Sequence, residues 1–138
     1  MRSCRQRRNP AGQTFAEFAF VALVFLLLVF ALMEMAEAVF AYATICEAAR
    51  EAVRYAIAHS STSPNPATNA QIQQVAINAA PSLGLTATNI SVTWPADSNL
   101  PSKTDAQITI SYAYTLQIPM MSPIALTLTS TSQMLVSQ

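Results

Sequence analysis

The sequence predicts an α+β protein with a long N-terminal helix, a short second helix and a small antiparallel sheet of about three strands. Three observations favour this fold class. An uncharged apolar run fills residues 18–33, a stretch without Pro or Gly continues from it to residue 58, and the last third alternates apolar and polar residues. Periods of 3.6 and 2 residues are typical of helices and strands, respectively. A chain of 138 residues leaves room for one modest domain.

The apolar run predicts a transmembrane helix at residues 13–33. Residues 18–33 alone span about 24 Å as a helix, and residues 13–17 bring the length to the ~30 Å of a hydrocarbon layer. This run accounts for much of the 52% hydrophobic content. Four arginines precede it, in a basic segment at residues 1–12, and they are Arg2, Arg5, Arg7 and Arg8. Positive charge on this flank predicts a cytoplasmic N-terminus and an extracytoplasmic remainder.

The arginines do not indicate nucleic-acid binding. No aromatic residue lies among them, and the apolar run follows closely. A basic flank before such a run is the ordinary topology signal. The remaining residues carry 3 positive and 7 negative side chains, a balance of −4.

Residues 34–58 predict an amphipathic continuation of the same helix, which would then run from about residue 14 to residue 58. The stretch is rich in Ala and Glu, which are strong helix formers. Glutamate and arginine recur three residues apart, a spacing that favours ion pairs on one face. The predicted apolar stripe comprises Phe40, Ala43, Cys46, Ala49, Val53 and Ile57.

Residues 59–69 contain two prolines and many small polar residues, so they predict a linker. A short helix with one apolar face follows, and Pro81 and Gly84 limit its end. Residues 90–94, 108–118 and 125–136 then predict three strands, with a proline-flanked connection between the last two. Residues 70–138 are therefore expected to form an extracytoplasmic domain whose sheet is covered by the two helices.

The sequence offers little for catalysis. Beyond residue 58 the titratable groups suited to acid–base chemistry are His59, Asp97, Lys103 and Asp105. A zinc site needs three or four ligands, and a phosphate loop needs glycines. We therefore expect no enzyme activity, no cofactor, no metal and no small-molecule substrate. The aromatic residues Trp94, Tyr112 and Tyr114 are expected in the core, and Cys4 and Cys46, on opposite sides of the membrane, are not expected to pair.

One short motif indicates a function for the N-terminal helix. Gly12 ends the basic segment, Glu17 lies five residues later and Phe18 opens the apolar run. The arrangement resembles a type IV prepilin, in which a peptidase cuts after the glycine. The resemblance implies that Gln13 becomes the new N-terminus and that Glu17 meets a free N-terminal amine of its own or a neighbouring subunit. A carboxylate within a membrane costs about 3 kcal/mol at the centre and less near the interface, so it is expected to have a partner.

Most of the chain also resembles the TadE-like family of pilus-assembly pseudopilins, with the specific motifs in residues 7–58 and in particular in residues 30–56. The family signature places a glutamate where the helix leaves the membrane and an AARE-x-x-RYA segment further along. Its residues in this chain are Glu34, Ala48, Ala49, Arg50, Glu51, Arg54 and Tyr55. Where the family often has glycines this chain has Ala31 and Ala52, which favours helix continuity.

The resemblance implies a minor pilin or pseudopilin of a Tad (Flp, type IVc) pilus or related secretion apparatus, held in a bacterial inner membrane. The implied partners are prepilin peptidase, other pilin subunits, the assembly platform and the membrane. Two alternatives remain open. One is an unprocessed single-pass anchor that displays a binding module, and the other is a secretory signal peptide cut near the small residues at 36–38.

Overall fold

The computed structural model of the protein describes residues 10–60, 63–96 and 105–136. It is an α+β fold, as the sequence predicts. The helices are α1 (Pro10–Ala58) and α2 (Asn69–Ala79), and the strands are β1 (Ile90–Thr93), β2 (Asp105–Leu116) and β3 (Ile124–Leu135). Two 3₁₀ turns, Pro81–Leu83 and Ala87–Asn89, connect α2 to β1. The basic residues at 1–9 and residues 97–104, between the first two predicted strands, lie outside the described residues.

Helix α1 is continuous over 49 residues, or about 73 Å at 1.5 Å per residue. Pro10 is its first residue, where a missing N–H removes no helical hydrogen bond. At the other end the His59 ring stacks on Tyr55 with centroids 4.3 Å apart. Its Nδ1 lies 3.1 Å from the Tyr55 carbonyl oxygen, which also accepts from the His59 backbone N–H over 3.1 Å.

Helix α2 begins at a capping box. The Thr68 hydroxyl accepts from the Gln71 N–H, and the Gln71 side chain accepts in turn from the Thr68 N–H. This pair satisfies two donors that would otherwise lack partners at the helix start. Beyond Ala79, Pro81 opens a 3₁₀ turn that ends at Gly84 with a φ of 58°, a left-handed conformation that suits glycine. The chain is thus turned towards β1.

The sheet is antiparallel in the order β1-β2-β3, with the long strand β2 in the centre. Ile110 of β2 lies opposite Ile90 of β1 and Ser130 of β3. The connection from β2 to β3 is short, and Leu116 pairs with Ile124 across it. The three predicted strands and the hairpin are confirmed.

The core lies between the sheet, α2 and the second half of α1. Its largest fully buried side chains are Ile45, Val53, Ile72, Ile108 and Ile110. On α1 most of the buried residues are alanines, whose small side chains let the strands approach the helix closely. On β3 the facing position is Ser130, which is also buried. The expected cover of the sheet by the two helices is confirmed.

The predicted stripe on α1 was partly wrong. Ala49 and Val53 are buried, but Phe40 is 62% exposed and Ala43 is also exposed. Apolar residues occur almost all round this helix, so the sequence does not mark which face the sheet takes. The prediction that Trp94 lies in the core was also wrong. Trp94 follows the end of β1 and is 36% exposed.

Candidate assembly segment and membrane-exit junction

Helix α1 divides into two parts with opposite surroundings. In the uncovered half (residues 12–40) no residue is buried. In the covered half (residues 41–58) the sheet and α2 bury seven side chains, which are Ala41, Ile45, Ala48, Ala49, Ala52, Val53 and Ala56. Large apolar side chains such as Phe15, at 74%, and Phe25, at 63%, are exposed on the uncovered half. It is long and apolar enough to cross a membrane.

The predicted processing and assembly residues lie together at the start of α1. Gly12, Gln13, Glu17 and Phe18 are all exposed, and a Cβ added at Gly12 would have no atom of another part of the described chain within 4 Å. The Gln13 side-chain amide donates to Glu17 Oε1 over 3.1 Å, one helical turn away. Residue 13 and Glu17 are therefore already within reach of each other in the helix.

The Gly12–Gln13 bond lies in the first turn of α1, which begins at Pro10. The first four N–H groups of a helix have no carbonyl partner within it. Opening the chain at this bond therefore disturbs fewer helical hydrogen bonds than opening it further along. In a chain opened there, Glu17 would lie four residues beyond the new end, close to the positive end of the shortened helix dipole.

Glu34, the signature glutamate at the membrane exit, is bound by the sheet. The Tyr114 hydroxyl donates to Glu34 Oε2 over 3.2 Å and lies 3.5 Å from the Glu34 carbonyl oxygen. The backbone N–H of Gln117 donates to the same carboxylate oxygen over 3.3 Å. We call these three residues the exit junction. It ties the end of β2 to the helix directly after the apolar run.

The exit junction also affects Tyr114. Partial burial, followed by the Glu34 charge and its hydrogen bond, raises the pKa of Tyr114 above its ordinary value of 10.0. The phenol therefore stays a donor over the whole physiological range. A donor hydrogen bond to a carboxylate is stronger than one between neutral groups. Glu34 thus has two donors at the end of the apolar run.

The AARE-x-x-RYA segment is divided between two faces of α1. Ala48 and Ala49 are fully buried against the domain. The charged residues face outward and form two exposed ion pairs, Arg50 with Glu47 at 3.3 Å and Arg54 with Glu51 at 3.9 Å. Tyr55, half-buried, packs against the core and on His59. The signature thus combines a packing surface with a solvated charged face, and exposed pairs of this kind contribute little to stability.

Sequence reasoning selected Gly12, Glu17 and Glu34 but missed Gln117 and the role of Tyr114. These two residues lie about 80 positions from Glu34, and contacts between residues so far apart in the chain leave no local signal in the sequence. The alternation of β2 does place Tyr114 on the same face as Ile108 and Ile110, which points it towards α1. Across the described residues no group of three His, Cys, Asp or Glu side chains is placed to hold a metal ion.

The fold and the exit junction define a class of protein: an α+β chain with a long N-terminal helix that fits a membrane anchor, whose small antiparallel sheet packs mainly on the second half of that helix. Residues 12–54 match the family described as TadE-like protein, which confirms the resemblance read from the sequence. The matched segment runs from Gly12 to Arg54, so it contains Glu17, Glu34 and most of the AARE-x-x-RYA segment. No curated protein and no solved structure gave a significant match.

Proposed function

We propose that this protein is a minor pilin or pseudopilin of a Tad (Flp, type IVc) pilus or related secretion apparatus. In this proposal prepilin peptidase cuts after Gly12, and the processed chain assembles through α1. One observation carries the proposal. The TadE-like segment coincides with a helix whose first half exposes its large apolar side chains in the part of the chain that the structure describes, while its other half carries a folded domain.

Processing would change how the helix is held. The four arginines before Gly12 attach the uncovered half to the cytoplasmic face, since extracting positive charge through a bilayer is costly. Cleavage removes all four and leaves an amine at Gln13. The helix is then free to leave the bilayer and to pack its apolar side chains against helices of neighbouring subunits.

Glu17 would guide that assembly. Its carboxylate lies within one turn of Gln13, and in an apolar bundle it needs a positive partner. The amine at Gln13, of the same or a neighbouring subunit, has the matching charge. Pairing inside apolar surroundings is sensitive to position, so it would fix the axial register between helices.

The rest of the proposal follows from this role. The protein acts as a structural and assembly component and not as an enzyme, with neither a nucleic acid nor a small molecule as partner. Its partners are prepilin peptidase, other pilin subunits and the assembly platform. It resides in a bacterial inner membrane with the N-terminus cytoplasmic and the sheet domain extracytoplasmic, until it is drawn into a filament.

Intact mass with N-terminal sequencing, on protein from its native membrane with the peptidase present, tests the processing step. We expect the wild-type chain to begin at Gln13 and the Gly12→Leu variant to remain full length. Since a Cβ added at Gly12 has no atom of another part of the described chain within 4 Å and Gly12 is exposed, a block would reflect recognition by the peptidase and not misfolding. Ala19→Leu, an exposed site further along α1, is the matched control and should be cut normally. A wild-type chain that keeps Arg7 and Arg8 would instead make the protein a permanent anchor.

Replacing Glu17 tests the assembly step separately. Glu17→Ala should be cleaved like the wild type but should enter filaments poorly, because the amine at Gln13 loses its partner. The measurement compares the amount of processed protein in sheared filaments with that in the membrane. Glu37→Ala removes a carboxylate beyond the apolar run and serves as the control. Equal incorporation of the Glu17→Ala protein would leave this residue without an assembly role.

A further inference from the structure

The connection between β2 and β3 lies close to the predicted membrane surface. Ile108 and Ile110 of β2 pack in the core of the covered half, whereas Tyr114 and Gln117 reach Glu34. Strand β2 therefore runs along α1 towards its N-terminus. The turn that follows Gln117 lies beyond Glu34, on the side of the apolar run. We call residues 118–124 the hairpin tip.

The hairpin tip presents apolar side chains outward. Met120 is 82% exposed, Met121 59% and Ile124 42%. No Asp, Glu, Lys, Arg or His occurs anywhere in residues 106–138, so the tip carries no charge that would resist an apolar environment. The large apolar side chains of the helix at the same end, Leu32 and Met33, are also more than half exposed. Tip and helix thus share one apolar zone.

The turn holds Met120 outward at a conformational cost. The Met121 N–H donates to the Ile118 carbonyl over 3.1 Å, and Pro119 and Met120 occupy the two central positions. Met120 has a φ of 68°, and it is the one non-glycine residue with positive φ within the described ranges. Proline followed by positive φ is typical of a type II turn, whose third position usually holds Gly or Asn. An exposed methionine here breaks the local rule, which is expected where a residue has a task outside folding.

We propose that the hairpin tip inserts into the outer leaflet of the membrane next to α1, with Met120 and Met121 as its lipid contacts. The position of the hairpin tip along α1 indicates that lipid is what it contacts. The tip is uncharged, extends at most about 10 Å beyond Gln117 at ~3.3 Å per residue, and lies alongside the point where the apolar run ends. Lipid surrounds that point on every side while the helix spans a membrane. The inference rests on the membrane anchoring that the proposed function includes, but not on cleavage or filament assembly.

Tip insertion would give the domain a second attachment to the bilayer. The exit junction fixes the hairpin to the helix, and a tip in the leaflet then fixes how far the helix projects. Extraction into a filament would have to withdraw both contacts together.

Depth-dependent fluorescence quenching tests the proposal on the full-length chain in phosphatidylethanolamine–phosphatidylglycerol vesicles. In a Cys4→Ser, Cys46→Ala background, single cysteines replace Met120, Phe25 or Ser82 and carry an environment-sensitive label. Phe25 reports the membrane-spanning helix, and Ser82, exposed in the turn after α2, reports the solvated domain. We expect blue-shifted emission and quenching by a lipid spin-labelled near its headgroup at Met120, deeper quenching at Phe25, and neither at Ser82.

Each contrary result has a distinct meaning. Quenching at Phe25 but not at Met120 would overturn tip insertion and leave the anchor intact. No quenching at either site would overturn the anchor and tip insertion together. A blue shift at Met120 without lipid quenching, and only at high protein-to-lipid ratio, would assign the tip to a second copy of this chain and would also overturn the proposal.

A turn variant separates lipid contact from folding. Met120→Asn suits the positive φ and removes the apolar side chain. With the label moved to Met121→Cys, we expect the Met120→Asn protein to keep its unfolding midpoint and to lose most of its lipid quenching. Unchanged quenching would show that Met120 makes no lipid contact.

Discussion

The two halves of α1 belong to one helix and are both rich in apolar residues, yet only one of them is packed within the chain. On the covered half the buried positions are mostly alanines. On the uncovered half the side chains are mainly Phe, Leu, Val and Met, and they face outward. Large apolar side chains are thus kept for an environment outside the single chain, and small ones are used where the sheet must approach closely.

The difference has an energetic reason. Burying a Leu, Val or Phe side chain contributes roughly 1.5–3 kcal/mol relative to water, so the uncovered half is strongly driven towards lipid or other helices. Alanine contributes less through burial but favours the helix and allows dense packing. If the two halves act independently, a substitution in the uncovered half should leave the stability of the folded domain unchanged.

The largest expected effect tests the covered half. Ile45→Ala should lower the free energy of unfolding of the domain by about 3 kcal/mol, because Ile45 is fully buried in the core and the change leaves a cavity. The measurement is urea unfolding of the full chain in micelles, followed by fluorescence of Trp94, the single tryptophan.

Leu32→Ala is the matched control, since it removes a large aliphatic side chain from the uncovered half, where Leu32 is 62% exposed. We expect no change in the same unfolding transition. A comparable loss of stability in both variants would show that the two halves of α1 are not independent.

Much of the fold could be predicted from the sequence, because its signals are local. The absence of Pro and Gly between residues 13 and 58 predicts one unbroken helix up to residue 58, although α1 begins earlier, at Pro10, and passes through Gly12. The apolar face of residues 70–79, limited by Pro81 and Gly84, predicts α2. The face of α1 that meets the sheet was not predictable. Alanine occurs on several faces, and the choice of Ala48 and Ala52 over Phe40 depends on the space that β2 and β3 leave.

The candidate site likewise contains residues that could be predicted from the sequence and contacts that could not. Gly12, Glu17 and Glu34 could be selected because they interrupt or border an apolar run. The contacts of Glu34 with Tyr114 and Gln117 could not be predicted, since they depend on how β2 is placed along the helix. The exposed Trp94 was misassigned because β1 ends one residue earlier, at Thr93, and the alternating pattern continues past the strand.

A smaller effect is expected at the exit junction, where the end of β2 contacts the uncovered half at Glu34. Tyr114→Phe removes the hydroxyl that binds the Glu34 carboxylate. It should lower the free energy of unfolding by clearly less than Ile45→Ala does, because one hydrogen bond contributes less than a buried aliphatic side chain. Tyr112→Phe removes a hydroxyl two residues away on the same strand and is the control. If both variants lose the same stability, the exit junction holds the hairpin no more firmly than general packing does.

The smallest effect is a dependence on alkaline pH. Because burial and the Glu34 charge raise the pKa of Tyr114 in the folded protein, the neutral phenol is favoured by folding. The stability due to this shift is fully present below pH 10 and is lost as the pH rises through the folded pKa. Unfolding of wild type and Tyr114→Phe between pH 9 and about 11.5 should therefore converge, with the wild type losing more stability. A constant difference in stability between the two proteins across that range would mean that Tyr114 ionises as readily in the folded chain as in the unfolded one. The Glu34 charge would then not keep the Tyr114 hydroxyl protonated.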